Sequence, residues 1–296
     1  MDPRLRQHSL GYWEIADKPT RVELEAYYAN KYFQEGKGSY ELTYSQEEVD
    51  YFCAKLAQRS VVIESHLGSV RAPGTLLDVG CGEGYALSFF RGLGWTVKGL
   101  DFSTAGVASK NPLCLDSLVV GDVFALLDAE INAGVVYDVI WLQNVLEHVL
   151  DPLELMQSLR SLVAPGGLLV VTVPNDCSII QQALLAANHI DKAFWVAPPD
   201  HLTYFDHNSL TRVADATGWH CVELLGDFPI DWFLFHPGSN YARDETAGKA
   251  AHLARVRIEN VLHRQPLEDV IRFWSASAKL GVGRDLTAFL SPKSKF

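Results

Sequence analysis

The sequence predicts an α/β fold built on a doubly wound, mostly parallel sheet. Three observations predict it. Short β-branched runs alternate with amphipathic stretches from Leu76 to Val173, the first run ends in a glycine-rich turn that opens a helix, and two strand-like runs near the C terminus look like an antiparallel pair.

Residues 1–70 read as an N-terminal cap, aromatic-rich in "AYYANKYFQEGKGSYELTY" and helical from about Gln46. A core follows over 71–226. Leu76-Leu77-Asp78-Val79 is its first strand, Gly80, Gly82 and Gly84 form the turn, and Tyr85 to Phe90 carries apolar residues at helical spacing. The next strands are "TVKGLD" (96–101), "SLVVGDV" (117–123), "YDVIWL" (137–142) and "LLVVTV" (168–173). Between the last two, Asp151 caps a helix, Pro152 takes its first position, Glu154 completes a capping box, and Pro165-Gly166-Gly167 stops it. A helix is expected between Cys177 and Pro199, inside a substrate loop over 177–207. Another helix opens near Asn208, with His207 as a helix-start residue and Asp206 or Asn208 as the cap. "WHCVELLG" and "GRDLTAFLSP" are the closing strand pair; residues 227–283 between them form an inserted cap or a dimerisation element, and 284–296 hold the final strand.

Bulk properties narrow the function. Lys and Arg total 25 against 36 Asp and Glu, a net charge of −11 that works against a phosphate backbone and favours a small-molecule partner over nucleic acid. No run of apolar residues is long enough for a transmembrane helix and no secretory leader opens the chain, so a cytoplasmic location is expected. The five cysteines are scattered, without a C-x-x-C pair, and read as reduced thiols.

A glycine turn at a strand's carboxyl end lets backbone amides approach a ligand, and it also serves plain packing of helix on sheet. Asp101, which ends the second strand 17 residues after Gly84, has the reach to take both hydroxyls of a ribose. The spacing G-x-G-x-G departs from the G-x-G-x-x-G of dinucleotide folds. "LDVGCGEG" resembles the first motif of the class I S-adenosylmethionine-dependent methyltransferases, and the likeness covers Leu76 to Val173. It implies a Rossmann-like seven-stranded sheet with its last strand antiparallel, S-adenosyl-L-methionine as cofactor, and methyl transfer.

Carried onto this chain, the resemblance implies that Gly80, Cys81 and Gly82 pack against the methionine part and that Asp101 holds the ribose. Phe102 lies beside the adenine, Asp122 meets its amino group, Val123 offers a backbone contact, and Gln143 touches the methionine portion. Asp78, inside an apolar strand, is expected to accept hydrogen bonds from the turn's amides or to reach the cofactor's ammonium through water. Of the aromatic residues in the N-terminal cap, Tyr28 and Tyr32 are expected to line the site; aromatic faces stabilise a cation by about 0.5–2 kcal/mol.

"LEHVLDP" (146–152) resembles a segment of small-molecule methyltransferases, including the ubiquinone-pathway O-methyltransferases. Some relatives carry an acid at the position of Asn144 and bind a divalent cation through it and the Glu-His pair. Here only Glu147 and His148 are strong donors, and no metal is expected. His148 is either a base for the acceptor's proton or a brace for the following helix. His201, in "PPDHLTYFDHNSL" (198–210), resembles a P-x-H-x-x-x-F segment that faces the ligand crevice and is the preferred base.

The flanks resemble methyltransferases of bacterial surface-polysaccharide pathways, which implies a hydroxyl of a sugar, a sugar nucleotide, another phosphorylated small molecule or a glycan substituent as acceptor. An aromatic or polyketide hydroxyl and the nitrogen of an amino sugar are alternatives, as is a non-catalytic protein that binds the cofactor for regulation. A homodimer is open. Arginines in the insertion, Arg255 among them, read as holders of a phosphate or as a solvated helix face.

Overall fold

The computed structural model describes residues 2–24, 26, 27, 43–68 and 73–293. Two short strands, β1 (Leu5–Gln7) and β2 (Trp13–Ile15), open the chain as an antiparallel pair. The N-terminal cap therefore begins as a hairpin, which its aromatic composition does not announce. Helix α1 (Gln46–Leu67) starts where the sequence places it, because Ser45 and Glu48 form a reciprocal capping box.

The core follows as β3 (Thr75–Val79), α2 (Tyr85–Gly92), β4 (Thr96–Asp101), α3 (Ala105–Lys110), β5 (Leu118–Val120), α4 (Val123–Asn132), β6 (Tyr137–Gln143), α5 (Pro152–Leu159) and β7 (Val163–Pro174). Then come α6 (Ile179–Ala186), β8 (Thr203–Tyr204), α7 (His207–Ala216) and β9 (Trp219–Leu225). Helices α8 (Gly248–Leu262) and α9 (Leu267–Lys279) precede β10 (Asp285–Pro292). The main sheet has seven strands in the order β5-β4-β3-β6-β7-β10-β9, and β10 runs antiparallel to both neighbours. That is the expected α/β Rossmann-like architecture.

Several boundaries differ from the sequence reading. The strand expected at 117–123 ends at Val120, because the Asp122 carboxylate caps α4 by accepting from the Ala125 amide at 2.8 Å. Helix α5 ends at Leu159, before the Pro-Gly-Gly run, which lies inside the longer β7. Asp151 caps α5 through the Leu153 and Glu154 amides, and no return bond from the Glu154 side chain completes a box. Between Cys177 and Pro199 only Ile179–Ala186 is helical, with Cys177 and Asn188 at positive φ on either side. Asp206 is the cap of α7, paired reciprocally with Ser209.

Alternation along the strands fills two apolar layers. Leu77, Val79, Ile140 and Leu142 face α5 and α7, where they meet Leu155, Leu159, Leu210 and Val213. Leu76, Val139 and Trp141 face the other way, toward Ile63 of α1, Phe90 of α2 and Trp274 of α9. The segment between β9 and β10 thus joins the main core through α9 and lies on the same face as α1. Strand β8 pairs with β2, so a three-stranded sheet, β1-β2-β8, supports the loop that carries His201.

Candidate active site

Strand order reverses beside β3: β4 and β5 lie to one side, β6 and β7 to the other. Open α/β sheets bind ligands in the crevice at the carboxyl ends of the strands at such a point. The glycine turn sits there. Gly80, Gly82 and Gly84 have φ of 72°, 53° and 74°, a left-handed region that side chains avoid. At Gly80 a Cβ would lie 2.6 Å from Val145 Cγ2, so glycine is required for space as well as for conformation.

The turn is held from β4. The Gly80 and Cys81 amides donate to the Leu100 carbonyl at 2.8 and 3.2 Å. The Gly82 amide donates to Asp101 Oδ2 at 2.8 Å, and the Ser103 amide to Asp101 Oδ1 at 3.0 Å. Asp101, and not Asp78, is therefore the acid that shapes the turn. Asp78 makes no side-chain hydrogen bond among the described residues; it lines the cavity, and burial, with Asp101 beside it, pushes its carboxyl up to about 8. Cys81 lines the cavity, and its side chain is buried near Gly99.

A cavity of about 350 Å³ opens over the turn. Its floor is Gly80 to Ala86, its sheet side is Trp141 and Gln143 of β6, and its far wall is the face of α1 that carries Tyr51, Lys55 and Arg59. Arg255 of α8 and Asp285 of β10 complete it. Arg59 donates to Gln143 Oε1 at 2.9 Å and lies over the Trp141 ring, 5.5 Å from its centroid. Gln143 is thus placed at the cavity with its side chain engaged. Lys55 pairs with Asp227 at 2.8 Å, and Asp227 also accepts from the Arg284 and Asp285 amides. Burial pushes the Asp227 carboxyl up, but Lys55 and Arg255 outweigh it and hold the group below its usual range. Lys55 and Arg59 were missed in the sequence, although Tyr51, Lys55 and Arg59 recur at intervals of four on one helical face.

Asp101 and Phe102 end and follow β4, while Asp122 and Val123 follow β5, so the four lie along the same edge beyond the turn. Val123 is buried and Phe102 packs on the core. Tyr28 and Tyr32 lie outside the described residues.

The two histidines meet. His148 ends a short turn after β6, and His201 precedes β8; their ring centroids are 4.8 Å apart with planes at 86°. His148 Nδ1 lies 2.6 Å from the Asp200 carbonyl oxygen, so that nitrogen donates and the Nε2 side lies toward Glu147, 3.7 Å away. The His201 loop is fastened by the Leu202 amide donating to Glu147 O at 2.8 Å and by the Ile15 amide donating to Leu202 O at 3.0 Å. His201 Nδ1 is 3.9 Å from Asp176 Oδ2, and Arg284 anchors Asp176 at 2.8 Å. Burial raises Asp176, yet Arg284 and His201 hold it below the ordinary carboxylate range. The donor atoms of Glu147, His148 and His201 lie within 4.8 Å of one another, which adds His201 to the two metal donors that the sequence offered. Burial drives the Glu147 carboxyl well above its usual value.

A family profile described as a methyltransferase domain matches residues 45–224. The chain belongs to the methyltransferase-domain family. This methyltransferase is 30% identical over 182 residues to the ubiquinone biosynthesis O-methyltransferase of Burkholderia multivorans, covering 60% of this chain and 74% of that one. The same coverage and identity hold for the protein of that name from Burkholderia lata. A SAM-dependent methyltransferase from Archaeoglobus fulgidus shares the fold at a TM-score of 0.50 and 16% identity, over 90% of this chain and 98% of the other. So does the 1,6-didemethyltoxoflavin-N1-methyltransferase of Burkholderia thailandensis, solved with its acceptor and S-adenosylhomocysteine, at a TM-score of 0.50 and 12% identity over 98% of this chain and all of that one. The methyltransferase takes its methyl group from S-adenosylmethionine. Its site fits that compound: left-handed glycines leave backbone exposed on the floor, and Arg59 is buried on the wall above them. No helix among the described residues is long and apolar enough to cross a membrane.

Proposed function

We propose that the protein methylates a hydroxyl of a polar small molecule, with His201 taking the hydroxyl proton. The observation that carries this reading is the meeting of His148 and His201 at the carboxyl ends of β6 and β7, beside the methyl-donor crevice. Asp285, on the cavity wall, adds to the rise of the Glu147 carboxyl beside His148.

S-adenosylmethionine supplies an electrophilic methyl group when bound. Asp101 receives the ribose hydroxyls, Phe102, Asp122 and Val123 the adenine, and the backbone of Gly80 to Gly82 with Gln143 the methionine portion. Arg59 faces the methionine carboxylate and Asp78 its ammonium. Alignment of acceptor oxygen, methyl and sulfur supplies the larger share of catalysis, up to about 7–11 kcal/mol. Proton removal by His201 adds a factor of about 10²–10⁴. His148, fixed by the Asp200 carbonyl, supports the His201 ring edge-on.

A sugar or sugar-nucleotide hydroxyl in the cytosol is the first acceptor class. An aromatic hydroxyl is the second; the named relatives are O-methyltransferases of ubiquinone biosynthesis, which supports oxygen as the atom methylated. Residues 227–283 act as a cap on the site, since Arg255 reaches the cavity. The test is S-adenosylhomocysteine formation across matched panels of nucleotide sugars, phenols and amino sugars. Turnover confined to the amines, or turnover by His201→Ala at the wild-type rate, overturns the reading.

A further inference from the structure

We propose that Arg255, carried on the segment between the last two strands, binds the carboxylate of the methyl donor's amino-acid end, together with Arg59. The inserted helices are then part of the cofactor site. This rests on the cofactor assignment and not on the identity of the acceptor.

Both guanidinium groups lie on the wall of the cavity above the glycine turn. Among the described residues neither has a carboxylate within ion-pair distance, whereas their neighbour Lys55 is paired with Asp227 at 2.8 Å. Arg255 Nε is buried without a hydrogen-bond partner. Its Nη2 reaches His252 Nδ1 at 3.1 Å, and His252 Nε2 in turn meets Glu48 at 2.9 Å, so the side chain is tethered from behind. Its guanidinium lies 5.5 Å from the centroid of Tyr51, the residue two turns before Arg59 on α1. A fork that is packed in place on the cavity wall matches a planar carboxylate, whose two oxygens offer about four acceptor positions. One carboxylate can accept from two arginines in this way. The plainer reading of this arginine in the sequence, a solvated helix face, fits the exposed Arg257 of the same helix better than the half-buried Arg255 on the cavity wall.

The experiment compares two ligands by calorimetry on the full chain: S-adenosylhomocysteine, which carries the amino acid, and 5′-methylthioadenosine, which lacks it. Arg255→Met is expected to weaken S-adenosylhomocysteine by about 10- to 100-fold, the loss of a charged hydrogen bond, and to leave methylthioadenosine within about threefold. A variant that holds S-adenosylhomocysteine as tightly as the wild type, or that loses both ligands in equal proportion, overturns the proposal. Arg255→Lys, which keeps the stem against Tyr51, is measured beside it and judged by the same two outcomes, so that a misfolded Met variant does not decide the matter. A wild type that binds neither compound sinks the cofactor assignment itself, a result distinct from any pattern in the variants.

Discussion

His148 and His201, 53 residues apart in the chain, stand edge to face with centroids 4.8 Å apart. Both rings depend on one loop: the Asp200 carbonyl accepts from His148 Nδ1, and the next residue is His201, whose loop is fastened to the N-terminal hairpin through Leu202. His201→Ala is expected to lower kcat by about 10²–10⁴-fold. S-adenosylhomocysteine affinity should stay near the wild-type value, because the donor's contacts lie across the crevice. Steady-state kinetics and calorimetry on the same preparation check both halves.

Asp101 has two tasks, holding the Gly82 amide and receiving the ribose. Asp101→Ala should weaken S-adenosylhomocysteine by at least on the order of 100-fold, from the loss of two charge-assisted hydrogen bonds worth about 1.5–3 kcal/mol each. Free adenine, which has no ribose, should bind the variant almost as it binds the wild type.

Gly106 has no motif to mark it, yet a Cβ there would lie 2.3 Å from the Gly82 carbonyl oxygen. Gly106→Ala must displace the turn or α3, at a cost of about 1–3 kcal/mol for overpacking. A fall in cofactor affinity with little change in acceptor KM is the expected signature.

Lys55 and Asp227 form a buried pair, so Lys55→Met takes away the cation bonded to Asp227 and leaves that carboxylate to the more distant Arg255 charge and two backbone amides, with the acidic Asp285 beside it. A loss of about 3–5 kcal/mol in urea unfolding is expected. A smaller loss would mean that the two amides donating to Asp227 already compensate its charge.

Glu259 gives a dependence on pH of the opposite sense to that of a salt-bridged acid. Burial raises its carboxyl from 4.5 to about 7 in the fold. Between those values the folded chain holds a proton that the unfolded chain has released, so this group makes stability fall as pH rises through the window. Glu259→Gln should flatten the slope between pH 4.5 and 7 in denaturation curves; an unchanged slope would assign it to other groups.

The glycine turn, Asp101 and the alternation of strands and helices were legible because their signals are local: punctuation by glycine and a period that switches from two to four. The closing pair, β9 and β10, was legible for the same reason. The hairpin of Leu5–Gln7 with Trp13–Ile15 was not, since strands of three residues carry no periodicity and form because β8 offers an edge. Nor was the cavity wall. Arg59 and Arg255 are 196 residues apart, and nothing in either neighbourhood tells a helix that it will pack on the other. Asp78 misled because an acid inside a strand looks like the partner of the next turn, whereas the turn's amides point to β4.

Gly226 and Gly283, at the two ends of the segment that carries α8 and α9, lie against each other. The chain leaves the sheet and comes back through one doorway. Excision of everything between them, with a tight reverse turn in its place, would leave β9 and β10 as an ordinary hairpin. The helices are therefore detachable in a topological sense, and a graft from one such sheet to another would carry its arginine along with it.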